Sequence, residues 1–281
     1  MICSTTRCSL AECPIWDGER LLYLDLLDPA IIECFPDRRE VRHDLPLPAP
    51  LGGLCLLSDH GMVVCCREGL FRVDPASLRL ESRLAAPDSS FSVAPPNDAA
   101  VHPSGCLFIA TADAAENAPT AGVFLLSLGH GLKRLVSGYT VGNGPSFSPD
   151  GGMAYIADSP KGEIYCYEWN GERAALENRR LFASGGRTPG LPDGVAVDSE
   201  GGVWNARWGG GLVVRYAPDG RESDRVEVPA KLVTSCAFGG PKLRTLYVTT
   251  ARAKEAGADL GGHVFAFEVG KTGLPASRAV I

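Results

Sequence analysis

The chain has 281 residues, with 27 Lys and Arg against 33 Asp and Glu, so its formal net charge is −6 at pH 7. No basic patch stands out, which argues against a nucleic-acid partner because phosphate binding needs clustered Lys and Arg. No run of about 18 apolar residues occurs, so we expect no membrane partner. The N-terminus lacks a signal-peptide core and the ten cysteines show no C-x-x-C spacing, so we expect a reduced, cytoplasmic protein.

A four-residue phrase recurs along the chain and predicts the architecture. Each copy alternates apolar and variable residues, tends to end on an aromatic residue, and follows a second short apolar run. Strand repeats of roughly 40–50 residues are typical of β-propellers, in which each repeat forms one blade of four antiparallel strands. Six copies therefore predict an all-β, six-bladed propeller that occupies residues 1–281 as a single domain. The copies lie at residues 32–35, 70–73, 123–126, 164–167, 213–216 and 264–267, and the preceding runs at 22–24, 62–64, 107–109, 154–156, 203–205 and 246–248.

Turn signals and longer loops separate these strands. The longest predicted hairpin loops are residues 111–122 and 249–262, in blades three and six, and long loops on a rigid scaffold often shape a binding site. We expect the ring to close by pairing of residues 3–8 with strands near 264–269 and 279–281, because closure removes exposed sheet edges. The alternative to fully reduced cysteines is a disulfide between Cys3 and Cys8, near the N-terminal end.

The candidate site consists of acidic and amide residues that lie within two positions of a Gly or Pro at the starts of blades. The chain has no G-x-S-x-G, H-E-x-x-H, P-loop or G-x-G-x-x-G motif. The blade starts carry Glu12, Asn97 with Asp98, Asn143 and Asp193. Taken singly, Asn-Gly and Asp-Gly dipeptides are ordinary turn signals. Taken together at matching blade positions, these side chains predict a site at the mouth of the axial channel, with an oxygen ligand set that suits a divalent cation.

The blade-start segments resemble the motifs of the SMP-30/gluconolactonase/regucalcin family of six-bladed propellers over nearly the whole chain. Any one motif is weakly specific, but five of them occur in the family's order. They are residues 10–17 (L-A-E-C-P-I-W-D) with 22–25, 97–98 (N-D) with 102–105, 143–151 (N-G-P-S-F-S-P-D-G) with 155–159, 192–198 (P-D-G-V-A-V-D) with 201–204, and 234–240 (T-S-C-A-F-G-G) with 246–251.

The resemblance implies one divalent metal ion at the top of the central channel and the hydrolysis of sugar lactones, with the ion polarising the lactone carbonyl. Carried over residue by residue, it implies that Glu12, Asn143 and Asp193 are the metal ligands, that Asp193 is also the general base, and that Asn97 faces the substrate. The ligand chemistry leaves the ion open among Ca²⁺, Zn²⁺, Mg²⁺, Mn²⁺ and Fe²⁺.

Two positions depart from the family's pattern in the part of the site that faces the substrate. Pro95 stands where the family often has an Arg that contacts sugar hydroxyls, and the acidic residue of the following loop falls at Ala115. Asp113 and Glu116 are the candidate substitutes for that acidic residue. The predicted metal set is therefore intact, whereas the predicted substrate contacts are altered.

Blade five offers further candidate contacts for a polar substrate, namely Arg207, Trp208 and Arg187. The alternative is that Trp204 and Trp208 pack the blade while the arginines face solvent, as arginine usually does. Three functions stay open: lactone hydrolysis; a non-catalytic calcium- or metal-binding regulatory propeller, which the loss of the Arg at Pro95 favours; and hydrolysis of a different ester or phosphoester.

Overall fold

The strands of the chain form a ring of six small sheets, which confirms the predicted all-β, six-bladed propeller. The structure, a computed structural model, describes residues 1–186, 188–253 and 260–281. The helical segments in those ranges are two short 3-10 turns, Ser89–Ser92 and Ser159–Lys161. No helix within the same ranges has the length and apolar character needed to cross a membrane.

Each blade is built from consecutive strands that pair antiparallel, with the first strand nearest the channel axis and the last at the rim. The innermost strand is more deeply buried than the outermost strand, because neighbouring blades cover it. Blade one consists of β1 (Ala11–Trp16), β2 (Leu21–Asp25), β3 (Ala30–Cys34) and β4 (Glu40–Asp44). Blade two consists of β5 (Leu51–Leu57), β6 (Met62–Cys66), β7 (Gly69–Val73) and β8 (Leu80–Ala85). Blade three consists of β9 (Pro96–Val101), β10 (Leu107–Thr111), β11 (Ala121–Ser127) and β12 (Gly131–Tyr139).

The second half of the chain repeats this plan. The predicted phrases and the runs before them lie on the third and second strands of the blades, apart from Phe35 and Val264, which flank theirs. Blade four consists of β13 (Gly142–Phe147), β14 (Met153–Asp158), β15 (Glu163–Asn170) and β16 (Ala175–Ser184). Blade five consists of β17 (Leu191–Val197), β18 (Val203–Trp208), β19 (Leu212–Tyr216) and β20 (Glu222–Glu227). Blade six contains β21 (Val233–Gly239), β22 (Thr245–Thr250) and β23 (Phe265–Glu268), and the last strand of the chain is β24 (Arg278–Ala279).

The ring is held together by apolar contacts between blades. Each of β1, β5, β9, β13, β17 and β21 contacts the innermost strands of both neighbouring blades. Six clusters of buried apolar side chains lie one at each junction between neighbouring blades. Alternation along the strands turns one set of side chains towards each neighbour, which explains this arrangement. All ten cysteines are free thiols, so Cys3 and Cys8 form no bridge.

The chain ends close the ring in two different blades. The backbone N–H of Cys3 donates to the Val264 carbonyl at 2.9 Å, so the N-terminal segment lies beside β23 in blade six, as predicted. The prediction was wrong for the C-terminal end, because β24 pairs in parallel with β5 of blade two. The N-terminal segment already occupies the free edge of β23. The C-terminal segment instead crosses the face of the ring that carries the turns between the first and second strands of the blades. There the Thr272 carbonyl accepts a hydrogen bond from the Ser199 N–H at 2.9 Å.

An irregularity in strand pairing occurs at one level in all six innermost strands. In β1, β5, β13 and β17, the register shifts leave two consecutive residues opposite a single residue of the next strand. The pairings of β9 and β21 shift at the corresponding place. A bulge bends its strand and re-aims the adjacent side chain, so the regular alternation of side chains is interrupted at this level. The doubled pairs are Cys13-Pro14, Gly52-Gly53, Gly144-Pro145 and Asp193-Gly194.

Candidate functional site

A cavity of about 200 Å³ opens at one end of the channel, directly above the bulges, and we call it the upper pocket. This end carries the loops between the second and third strands of the blades. The upper pocket brings together four residues that the sequence placed at blade starts. They are Glu12, Asn97, Asn143 and Asp193, from blades one, three, four and five. Their convergence depends on the ring, because 181 positions separate Glu12 from Asp193 in the sequence (193 − 12).

The side-chain amide of Asn143 is held in one orientation. Its Nδ2 donates to the Ser159 Oγ at 2.8 Å, and its Oδ1 accepts from the Asn97 Nδ2 at 2.9 Å. The same Asn97 nitrogen also donates to the Gly142 carbonyl at 3.0 Å. A carbonyl oxygen has two lone pairs. The Asn143 Oδ1 can therefore accept from Asn97 and still coordinate a cation.

Two carboxylates, Glu12 and Asp193, line the upper pocket, and the charge of a third, Asp98, acts on both. Glu12 is only 5% exposed, and its Oε2 accepts the Cys13 backbone N–H at 2.5 Å. Burial raises the pKa of Glu12 well above its usual value, and the charges of Asp193 and Asp98 raise it further. Burial and the charge of Asp98 raise the pKa of Asp193 in the same way. Burial also raises the pKa of Asp98 to about 6, although its Oδ2 accepts the Gly144 N–H at 2.7 Å.

The charge balance of the upper pocket fits a divalent cation. No Lys or Arg lines it among the residues that the structure describes, so no basic side chain offsets the carboxylates from within the pocket. A cation in contact with Glu12, Asp193 and the Asn143 Oδ1 would favour the ionised carboxylates that burial disfavours. Within the described ranges, no three His, Cys, Asp or Glu side chains are grouped to hold a metal ion. The predicted ligand set Glu12, Asn143 and Asp193 is not such a group, because Asn143 contributes an amide oxygen instead of a carboxylate, thiol or imidazole.

Asp193 lies in the bulge of β17, where its backbone is supported by a residue that the sequence analysis did not select. The Nδ2 of Asn205, on β18, donates to the Asp193 carbonyl at 2.8 Å and to the Gly194 carbonyl at 3.3 Å. Asn205 is fully buried. An amide inside an apolar strand run needs buried partners. The polar residue in the run 203–205 was therefore a signal that could have identified it.

The loop between β10 and β11 separates the two candidate acidic residues of blade three. Glu116 lines the upper pocket. The Asp113 carboxylate accepts the backbone N–H groups of Asn117 and Ala118, at 3.2 and 3.3 Å, and the Thr120 hydroxyl. These bonds lower the pKa of Asp113. Glu116 is thus the acidic residue that reaches the pocket, whereas Asp113 holds the shape of the loop.

The candidate contacts of blade five are also divided. Trp208 lines the upper pocket, whereas Trp204 is buried in the blade and its Nε1 donates to the Asp198 Oδ2 at 2.9 Å. Arg207 is buried and does not line the pocket, so neither substrate contact nor solvent exposure describes its place in the structure. Arg187 lies outside the described residues, as does part of the predicted loop 249–262.

A second cavity, of about 210 Å³, occupies the channel below the bulges, and we call it the lower cavity. Its walls are mainly apolar and include the thiols of Cys13, Cys55 and Cys236. Residues 274–277 of the C-terminal segment also line it. Asp98 lines this cavity, and its charge acts on Glu12 and Asp193 above. Asp98 therefore lies close to the boundary between the two spaces.

Known proteins resemble this chain in both sequence and structure. A pentonolactonase of Haloferax volcanii is 33% identical over 98% of this chain and 96% of its own length. A 6-deoxy-6-sulfogluconolactonase of Pseudomonas putida is 33% identical over 94% of this chain and 92% of its own length. The solved structure of a calcium-binding protein, regucalcin, from Agrobacterium tumefaciens superposes with a TM-score of 0.92 at 27% identity, covering 100% of this chain and 97% of that one.

The family assignment agrees with the motifs and the geometry. Residues 10–252 match the family described as the SMP-30/Gluconolactonase/LRE-like region. The matched range includes all four blade-start residues of the upper pocket and all of the innermost strands. The chain therefore belongs to the SMP-30/gluconolactonase/LRE-like family.

Proposed function

We propose that this protein is a divalent-metal-dependent lactonase that hydrolyses a sugar lactone in the upper pocket. The observation that carries the proposal is the convergence of Glu12, Asn143 and Asp193 from three blades on one buried, acidic pocket. The family gives this convergence its chemical meaning, since the relatives described above act on pentonolactones and on a sulfogluconolactone. In this proposal the three residues hold the ion, and Asp193 is the general base.

The walls of the upper pocket support a sugar lactone as the substrate class. Asn97 and Glu116 give the blade-three side polar groups that can bond hydroxyls. Leu191 and Trp208 give the blade-five side an apolar surface, and they lie opposite each other in the pairing of β17 with β18. A sugar ring carries hydroxyls at its edge and C–H groups on its faces, so it matches a pocket with one polar and one apolar wall.

The proposed reaction opens the lactone ring by attack of water. A bound divalent ion would polarise the lactone carbonyl and stabilise the negative charge that develops on its oxygen. Asp193 takes a proton from the water as the water oxygen bonds to the carbonyl carbon. The bond from that carbon to the ring oxygen then breaks, and Asp193 returns the proton to the departing oxygen. The product is the open-chain hydroxy acid.

The test measures the hydrolysis of a panel of aldonolactones through the release of acid. It compares untreated protein, EDTA-treated protein and protein reloaded with single cations. We expect turnover of at least one lactone, loss of turnover with EDTA, and recovery with Ca²⁺, Zn²⁺, Mg²⁺, Mn²⁺ or Fe²⁺. Turnover that is indifferent both to EDTA and to Asp193→Asn would contradict the proposal.

A non-catalytic, cation-binding role is the second candidate. It is favoured by Pro95, which replaces an expected substrate contact, and by the structural likeness to a protein described as calcium-binding. The same panel separates the two candidates. Cation binding without turnover of any lactone supports the second candidate, and turnover of a carboxylic or phosphoric ester instead of lactones redefines the bond that is cleaved.

A further inference from the structure

Arg207 has an unusual setting for an arginine. It lies on β18, is only 1% exposed, and belongs to the strand that pairs with the bulged part of β17. The four hydrogen-bond acceptors that Arg207 finds among the described residues are uncharged. They are the Pro189, Gly190 and Thr188 carbonyl oxygens at 3.2, 2.6 and 3.5 Å and the Asn205 Oδ1 at 3.1 Å.

The guanidinium determines which way the Asn205 amide faces. Arginine has only donors, so the Asn205 atom that faces Arg207 must be the oxygen. The nitrogen is thereby turned towards β17, where it donates to the carbonyls of Asp193 and Gly194. The orientation of one buried amide thus links Arg207 to the backbone of the proposed metal ligand.

The bulge makes this support necessary. Pro192 pairs with Arg207, and Val195 pairs with Asn205. Asp193 and Gly194 therefore both lie opposite the one residue of β18 that separates Asn205 from Arg207. A bulge leaves its extra residue without a ladder hydrogen bond, and a buried carbonyl without a donor is unfavourable. The Asn205 side chain supplies the donor that the interrupted ladder lacks.

The other side of the bulge is fixed by blade six. A Cβ added at Gly194 would lie 2.1 Å from the Ser235 Oγ, which is well inside van der Waals contact. The bulge is therefore confined between Ser235 on one side and Asn205 on the other. Arg207 also bonds the turn just before Leu191, which is part of the apolar wall of the upper pocket.

We propose that Arg207 and Asn205 are positioning residues that aim the Asp193 carboxylate into the upper pocket, with Arg207 acting through Asn205. Neither residue lines the pocket. The inference rests on the proposed function to the extent that Asp193 is a cation ligand. It replaces the predicted substrate contact of Arg207 with an effect on the geometry of the metal site.

The test compares four variants by direct cation binding. Arg207→Met, Asn205→Leu and the double variant are stripped with a chelator and titrated calorimetrically with Ca²⁺ and with Mn²⁺. The matched control is Arg215→Met, since Arg215 is also buried in blade five, at 6% exposure, but bonds Asp198 and Ser223 instead of the bulge. Residues that support ligands typically change cation affinity by about 10–100-fold. We expect a loss of that size in both single variants, no further loss in the double variant, and a change below about twofold in Arg215→Met.

A second measurement keeps the inference testable whatever happens to cation binding. In metal-free protein, hydrogen exchange of the amides of residues 193–195 should be faster in Arg207→Met and Asn205→Leu than in wild type or Arg215→Met. Arg207→Lys serves if Arg207→Met does not fold. Its single ammonium cannot bond the carbonyls and Asn205 in the planar geometry of the guanidinium, so an intermediate result is expected.

The outcomes separate this inference from the proposed function. If wild-type protein binds no cation but exchange at residues 193–195 responds as expected, the metal proposal fails and the positioning role stands. Unchanged affinity and unchanged exchange in folded Arg207→Met would overturn the positioning role. Equal losses in Arg207→Met and Arg215→Met would also overturn it, because they would indicate a general weakening of blade five.

Discussion

The upper pocket and the lower cavity share five of the innermost strands, β1, β9, β13, β17 and β21, yet their surfaces are chemically different. At and above the bulges, β1, β9, β13 and β17 present Glu12, Asn97, Asn143 and Asp193. Below the bulges, the same strands present mainly small and apolar side chains. The bulges mark the change because each one interrupts the alternation of its strand. A propeller can therefore concentrate polar chemistry at one end of its channel while the rest of the channel packs like a core.

The largest effect is expected from a substitution that removes the proposed general base of the upper pocket and leaves the lower cavity unchanged. Asp193→Asn keeps the size of the side chain but removes its charge and its ability to accept a proton. We expect kcat on the best lactone to fall by about 10²–10⁴-fold. The control is Asp219→Asn in the exposed turn before β20 of the same blade, which should leave kcat unchanged. Equal kcat in the two variants would remove Asp193 from the mechanism.

The next largest effect is expected from a substitution in the layer of bulges between the upper pocket and the lower cavity. A Cβ at Gly52 would lie 2.0 Å from the Pro96 carbonyl oxygen, so Gly52→Ala forces blades two and three apart beside Asn97. Overpacking of this kind lowers the free energy of unfolding by about 1–3 kcal/mol, measurable by urea denaturation. Gly129→Ala is the control, since a Cβ there meets nothing within 4 Å. A Gly52→Ala protein as stable as Gly129→Ala would show that the bulges are not tightly packed.

A third pair of variants sharpens the distinction between the pocket and its supporting loop. Glu116→Gln should raise KM by about tenfold, the size expected for loss of one charge-assisted hydrogen bond, without changing Tm. Asp113→Asn should lower Tm and leave KM unchanged, because Asp113 bonds its own loop.

The stability difference between wild type and Asp113→Asn depends on pH because the pKa of Asp113 is lowered in the folded protein. The folded protein holds this proton less tightly than the unfolded chain. The stabilisation from Asp113 is therefore complete above the unfolded value of 3.8 and is lost as the pH falls through the lower folded value. The Tm difference between wild type and Asp113→Asn should shrink accordingly in acid. A difference that grows in acid would contradict this assignment.

The smallest effect concerns the boundary itself, at Cys13. Its φ is +53°, in the left-handed region where a side chain is strained. We expect Cys13→Gly to be about 1 kcal/mol more stable than Cys13→Ala, by urea denaturation, although Gly is normally the less stable residue in a strand. The order should reverse at Cys236, which does not have a positive φ. The same order at both positions would mean that the Cys13 backbone is not strained.

The parts of the site that could be predicted from sequence are those that repeat with the blades. Glu12, Asn143 and Asp193 each lie about ten residues before the recurring apolar run of a blade, so their shared end of the channel follows from the repeat. Asp113, Glu116 and Arg207 have no such constraint. The first two lie three positions apart in one loop, and only the hydrogen bonds of that loop decide which of them reaches the pocket.

The amino-acid sequence by itself determined the number of blades, the positions of their second and third strands, and four of the residues at the channel mouth. These features are local, because alternation and turn residues act over a few positions. The tertiary structure alone decided where the C-terminal strand pairs, how Asn205 and Arg207 support the bulge, and how the channel divides into two cavities. These features arise from contacts between blades and across interrupted ladders, where geometry in three dimensions, and not the neighbouring residue, selects the partner.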